Sequence, residues 1–209
     1  MGIVDRRKRE KAARRAEILK AARHVFFRKG LSAATVDEIA RRAELSKGTL
    51  YLYFRTKEEI YISLMNEGID ILFAYFRQAL KAKAGADRVL RRLKDAYYRF
   101  YKEHREYFTI LFLYFHTDLH GKISRPIKER CEAKVEACLQ VIADLIERGV
   151  TEGVFRPCDP WQMVLVGWAS FNGIIMLAEQ DHQHSSLLRF DMKKLLDLSA
   201  EHLISGLKT

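Results

Sequence analysis

The chain has 209 residues, 48% of them apolar and 11% aromatic, which is enough to build a proper core as one large domain or two small ones. With only three prolines it favours long helices over a loop-rich or sheet fold, and its three cysteines, none in a CxxC pair, argue against a disulfide framework. The net charge of +10 is unevenly placed: residues 1–57 hold 16 Lys/Arg against 6 Asp/Glu, whereas residues 58–209 hold 21 of each. A basic first quarter on a neutral remainder is the electrostatic footprint of a nucleic-acid-binding domain, with a solubilising tail as the bland alternative.

Residues 1–16 carry Arg6, Arg7, Lys8, Arg9, Lys11, Arg14 and Arg15 and read as a partly disordered arm able to follow phosphates. A first helix is expected from about Ala16 to Lys29, where Ile18, Ala21, Ala22, Val25 and Phe26 recur at helical spacing and Gly30 stops the run. Thr35 is placed to cap a second helix over about Val36–Ala43, with Asp37 and Glu38 suited to its positive end. Glu44-Leu45 makes a turn, and Ser46 caps a short third helix, Lys47–Tyr53, whose outward groups are Lys47, Thr49, Tyr51 and Tyr53. Donors, hydroxyls and flat rings on a short exposed helix suit the major groove of DNA, and Gly48 allows close approach. Lys57, at the start of helix four, is expected to anchor a phosphate together with the free N–H groups of that helix end.

The run Thr35-Val36-x-x-Ile39-Ala40, Ser46-Lys47-Gly48-Thr49-Leu50-Tyr51, Tyr53-Phe54 and Lys57-Glu58-Glu59 resembles the helix-turn-helix of the TetR family of bacterial transcriptional regulators. That resemblance, carried by about a quarter of the chain, implies an all-α fold of about nine helices. A three-helix DNA-binding domain, residues 1–56, would precede a larger ligand-binding and dimerisation domain, residues 57–209. It further implies a homodimer on a palindromic operator, released by a small apolar or aromatic effector, and DNA contacts at Thr35, Lys47, Gly48, Thr49, Tyr51, Tyr53 and Lys57. No cofactor or metal is implied.

Helix four is expected over about Lys57–Lys81 as a continuous link out of the DNA-binding part. Helices five and six, about 87–102 and 105–116, are unusually rich in Tyr and Phe, and these rings either fill a core or line a pocket. The expected pocket wall is Phe73, Phe76, Tyr97, Tyr101, Phe108, Phe112, Phe171 and Asn172. His116 and His120 flank Asp118 at ligand spacing, but a solvent-facing loop is the simpler reading. Helix seven, about Pro126–Arg148, carries Cys131 and Cys138 on one face, two turns apart and too distant to bridge, so buried structural thiols are expected, with a redox sensor the alternative.

Asp159 and Pro160 open helix eight, Trp161–Ala178, which is apolar nearly all round and must be buried in the core or against a second subunit. Its Gln162, Ser170, Asn172 and internal glycines argue against a membrane span. After a polar DHQHSS loop, helix nine follows over Asp191–Leu207. Trp168, Gly173, Leu196 and Leu203 are the expected dimer contacts in a four-helix interface. No catalytic constellation is present, which points away from an enzyme. The charged N-terminus lacks an apolar signal segment, so a cytoplasmic protein is expected. The alternative reading is a helical small-molecule-binding protein or enzyme with an incidental basic arm.

Overall fold

The computed structural model describes residues 3–114, 123, 125–184 and 190–208. His116, Asp118 and His120 lie outside the described residues. Nine helices are found among them: α1 (Ile3–Ala33), α2 (Val36–Arg42), α3 (Lys47–Tyr51), α4 (Lys57–Leu80), α5 (Ala86–Glu103), α6 (Arg105–Tyr114), α7 (Arg125–Thr151), α8 (Pro160–His184) and α9 (Met192–Leu207). The all-α expectation holds. Three details differ from it. The arm is helical from Ile3 rather than disordered, with Arg6 pairing to Glu10 at 2.8 Å and Arg14 to Glu17 at 2.7 Å along its surface. Helix three is two residues shorter, and α8 continues through His184 into the expected polar loop.

Packing divides the chain into two compact units, residues 1–70 with 104–134, and residues 71–103 with 135–209. That grouping is one of packing, whereas the expected division at residue 57 is one of function.

In the first unit α1 holds the helix-turn-helix. Ile18, Ala22 and Phe26 are buried, and Phe26 meets Tyr61 of α4 edge-on at 5.3 Å. Gly30 breaks α1 with φ 71°, a conformation that strains any residue with a Cβ, so the expected stop is present as a kink. Thr35 and Glu38 form a reciprocal capping box at the start of α2, at 3.2 and 3.1 Å, and Ser46 Oγ accepts from Thr49 N at 3.0 Å to cap α3. Helix α6 is tied to α1 and α4 by polar groups. Glu106 forms ion-pair contacts with Arg23 at 2.8 Å and His24 at 2.7 Å, and the Tyr61 hydroxyl donates to the Ile110 carbonyl at 2.7 Å.

In the second unit α5, α8 and α9 pack with the later part of α7. Asp159 Oδ1 caps α8, accepting from Trp161 N at 2.9 Å and Gln162 N at 3.1 Å, with Pro160 at the first helical position. A Cβ on Gly149 would stand 2.2 Å from the buried Phe155 ring, so the glycine lets the turn after α7 fold back onto its helix. Charge pairs bind α5 to α9: Arg91 forks onto Glu201 at 2.6 and 2.8 Å, and Lys94 pairs with Asp197. By length and composition α8 is apolar enough to cross a membrane, but it lies on α9 in this unit along one side. Its other side leaves Leu165, Val166, Met176 and Leu177 exposed, so within one chain α8 is not buried all round.

Candidate functional site

The outer face of the helix-turn-helix is built by α3 and the caps around it. Leu50 and Phe54 point inward and fix the rotation of α3. Lys47, Gly48, Tyr51 and Leu52 are therefore exposed, and Thr49 and Tyr53 are partly so. Lys47 Nζ pairs with Asp37 Oδ2 at 2.9 Å, and this carboxylate holds the ammonium above its usual range, so it stays charged. A Cβ at Gly48 would meet only Ser46 Oγ at 3.8 Å, so nothing inside the chain requires glycine there. An external surface approaching the helix would.

Two placements differ from the sequence reading. Lys57 Nζ donates to three carbonyls, those of Leu31 at 2.8 Å, Ser32 at 3.2 Å and Ala34 at 2.9 Å. An ammonium has three hydrogens. Lys57 therefore closes the carbonyls beyond the Gly30 kink, with its ammonium directed inward. Arg15 likewise donates to Ser63 Oγ at 2.8 Å and lies over the Phe54 ring at 4.7 Å, so it is part of the scaffold rather than of a loose arm. Leu52, 77% exposed at the C-cap of α3, belongs to the outer face and was missed. The signal was available: Leu50 fills the core, and Leu52 is two positions further round a helix.

The second unit holds a partly open cavity of about 120 Å³. Phe76, Tyr97 and Phe171 of the expected wall line it. Asn172 stands behind that wall, accepting from the Tyr97 hydroxyl at 2.7 Å and donating to the Trp168 carbonyl at 2.7 Å. Burial pushes the Tyr97 phenol well above its usual range, so it stays neutral. Phe73 and Tyr101 belong to this unit but do not line the cavity; Arg77 covers the Phe73 ring at 5.0 Å, and the Tyr101 hydroxyl donates to Glu179. Phe108 and Phe112 stack on each other at 6.4 Å in the first unit and so form no part of this wall. Aliphatic residues of α5, α7 and α9, such as Leu93, Ile142 and Ile204, provide most of the rest.

The expected dimer residues are also redistributed. Leu196 is 1% exposed and fills the core of its own unit, so it cannot reach a partner. Trp168 and Leu203 line the cavity. Gly173 has open space above it. Among the described residues of the second unit, the exposed large apolar side chains are Leu165, Val166, Met176 and Leu177 of α8, with Leu198 of α9 at 53%. Cys131 and Cys138 are both buried, and burial pushes each thiol up to about 12.

Residues 18–64, which span α1 from Ile18 through α3 to Leu64, match the family described as bacterial regulatory proteins, tetR family. The chain belongs to the TetR family. It is 32% identical over 136 residues to the HTH-type transcriptional activator FasR of Mycolicibacterium smegmatis, covering 65% of this chain and 59% of that protein's length. It is 29% identical over 145 residues to the HTH-type transcriptional repressor KstR2 of Mycobacterium tuberculosis, covering 69% of this chain and 70% of that one. The fold is similar to that of the regulator FadR from Bacillus subtilis in complex with stearoyl-CoA, with a TM-score of 0.71, 21% identity, and coverage of 92% of this chain and 98% of that one. The helix-turn-helix face and the cavity are thus set in a TetR-family framework.

Proposed function

We propose that this chain is a ligand-responsive transcriptional regulator, a repressor, that binds a palindromic operator as a homodimer in the cytoplasm and is released when a small apolar effector fills the cavity. No catalytic role is read. The observation that carries the DNA-binding reading is the α3 face, where Lys47, Thr49, Tyr51 and Leu52 stand outward on a helix fixed from behind by Leu50 and Phe54. Thr35 and Tyr53 flank that face and are suited to phosphates, and Gly48 admits the groove edge. Lys57 acts from inside, by holding the loop that carries Thr35. In function, residues 1–56 are the DNA-binding part and residues 57–209 the ligand-binding and dimerising part. The repressor reading is supported by the likeness to KstR2.

A second copy of the chain is the fitting cover for Leu165, Val166, Met176 and Leu177, with Leu198 beside them, because an isologous apolar stripe of this kind is self-complementary. Trp168 and Leu203 then act through the cavity wall behind that stripe. A dimer must hold its two α3 helices about 34–36 Å apart to meet successive major grooves. Leu72 and Phe76 of the cavity wall sit on α4, the same helix that begins at Lys57 behind the helix-turn-helix. An effector that shifts α4 alters the spacing, and a coupling of about 1–3 kcal/mol would be ordinary. The FadR complex supports an apolar chain as a candidate of the right chemistry.

The test is selection of binding sites from random duplexes, followed by titration at two salt concentrations. An inverted repeat, with binding that falls as salt rises, is expected. Recovery of no preferred sequence would refute the reading.

A further inference from the structure

The polar groups that reach the cavity are few, and each is engaged. The Tyr97 phenol donates to Asn172 Oδ1 at 2.7 Å, and the Asn172 amide donates to the Trp168 carbonyl at 2.7 Å. Phenol, amide and main-chain carbonyl thus form a hydrogen-bonded chain behind the wall. Lys94 contributes its stem, while its ammonium pairs with Asp95 at 2.6 Å and with Asp197. Burial alone would lower the Lys94 pKa, and the two carboxylates more than reverse it. Lys94 therefore reaches the cavity with its charge already shared between two carboxylates. The rest of the lining is aliphatic or aromatic, apart from Gly167.

We propose that this cavity selects an uncharged, hydrogen-bond-poor molecule of one aromatic ring or a short hydrocarbon of similar bulk, and rejects carboxylates of the same shape. The size follows from the volume, since an apolar cavity of about 150 Å³ takes up benzene and this one is about 120 Å³. The charge selectivity follows from these pairings: a carboxylate entering here meets an ammonium already outnumbered by Asp95 and Asp197, so it adds a third anion to one cation, and drawing Asn172 or Lys94 away breaks the bonds they already make. An unpaired buried carboxyl has its pKa raised by up to about 3–5 units, so it enters only as the neutral acid. This inference rests on the effector reading above and names the chemistry of that effector.

The test uses the full-length protein and a near-isosteric pair, ethylbenzene and benzoate, titrated by calorimetry at pH 8. Ethylbenzene is expected to bind at least about thirtyfold more tightly, a modest part of the discrimination that an unpaired buried carboxyl allows. Benzoate affinity should rise about tenfold for each unit of pH lowered toward 6, because the bound form is the acid. Gly167→Leu, which puts a side chain into the cavity where a Cβ has 3.8 Å to Leu203, should abolish ethylbenzene binding. Leu139→Ala should enlarge the cavity and turn preference toward naphthalene, which locates the site even if the Gly167 variant fails to fold. Benzoate bound as tightly as ethylbenzene, or no binding by either compound, overturns the inference. Operator release by ethylbenzene is read separately. Tight binding without any loss of operator affinity upholds the selectivity and refutes the effector reading.

Discussion

Replacing Lys57 by Met keeps the aliphatic stem and removes the ammonium. Three carbonyls, of Leu31, Ser32 and Ala34, then lose a charged donor at 2.8–3.2 Å. A hydrogen bond to a charged group contributes about 1.5–3 kcal/mol net, but three bonds from one partly exposed ammonium do not sum, and water can reach the exposed Ser32. A loss of about 2–4 kcal/mol in unfolding free energy is expected, or about 2–4 °C in Tm for each kcal/mol in a chain of this size. Denaturant unfolding with and without operator measures it. Operator and random DNA should be bound less well only through the smaller folded fraction, with an unchanged dependence on salt. A phosphate anchor behaves in the opposite way: stability stays put, and the slope of log affinity against log salt falls by about 0.9. Unchanged stability with that reduced slope would refute the inward role of Lys57.

Gly48→Ala should stabilise the free protein by about 0.5–1 kcal/mol, because Ala is the better helix former and its Cβ has room, while weakening operator binding tenfold or more; a thermal melt and a gel shift read the two effects. Leu52→Ala should abolish the effect of replacing thymine by uracil at one position in each half-site, if Leu52 meets a thymine methyl, and a full uracil scan with no coupled position would remove that contact. Leu165→Glu with Met176→Glu should leave the monomer folded and prevent dimers at micromolar concentration, as sedimentation will show; a persisting dimer places the interface elsewhere. At pH 8 an alkylating reagent should label Cys158 in the native protein and Cys131 and Cys138 only after unfolding. Because the two buried thiols rise from 9.0 to about 12 on folding, the protonated form is favoured in the native state. Their contribution is therefore complete below pH 9 and is lost as pH rises toward 12, which a stability profile over that window will check.

Signals that act within a few residues were legible in the sequence. Thr35, Ser46 and Asp159 cap the helices they precede, and Gly30 interrupts α1, because each depends on neighbours one to four positions away. The helical arm was not legible, since residues 3–16 have little apolar periodicity and are sustained by surface pairs and by continuity with α1. The inward bonds of Lys57 were not legible because its partners lie 23 to 26 positions earlier. The cavity was only partly legible. Aromatic density pointed to Phe108 and Phe112, but which helices face one another decides the wall, and that placed Leu93, Ile142 and Ile204 there instead. The same uncertainty of phase sent Leu196 to an interface when it fills its own core.

The first unit is assembled from two stretches of chain that are not consecutive. Glu106 and Ile110, which receive Arg23, His24 and Tyr61, are translated well after the helix-turn-helix. At the usual pace of synthesis residue 104 follows residue 57 by roughly 2–9 s, a long wait on the scale of helix formation. During that interval the nascent recognition helix exists without its clamp. A truncated gene ending after α4 would leave it so permanently, and the shortest fragment expected to bind DNA on its own must therefore run past α6.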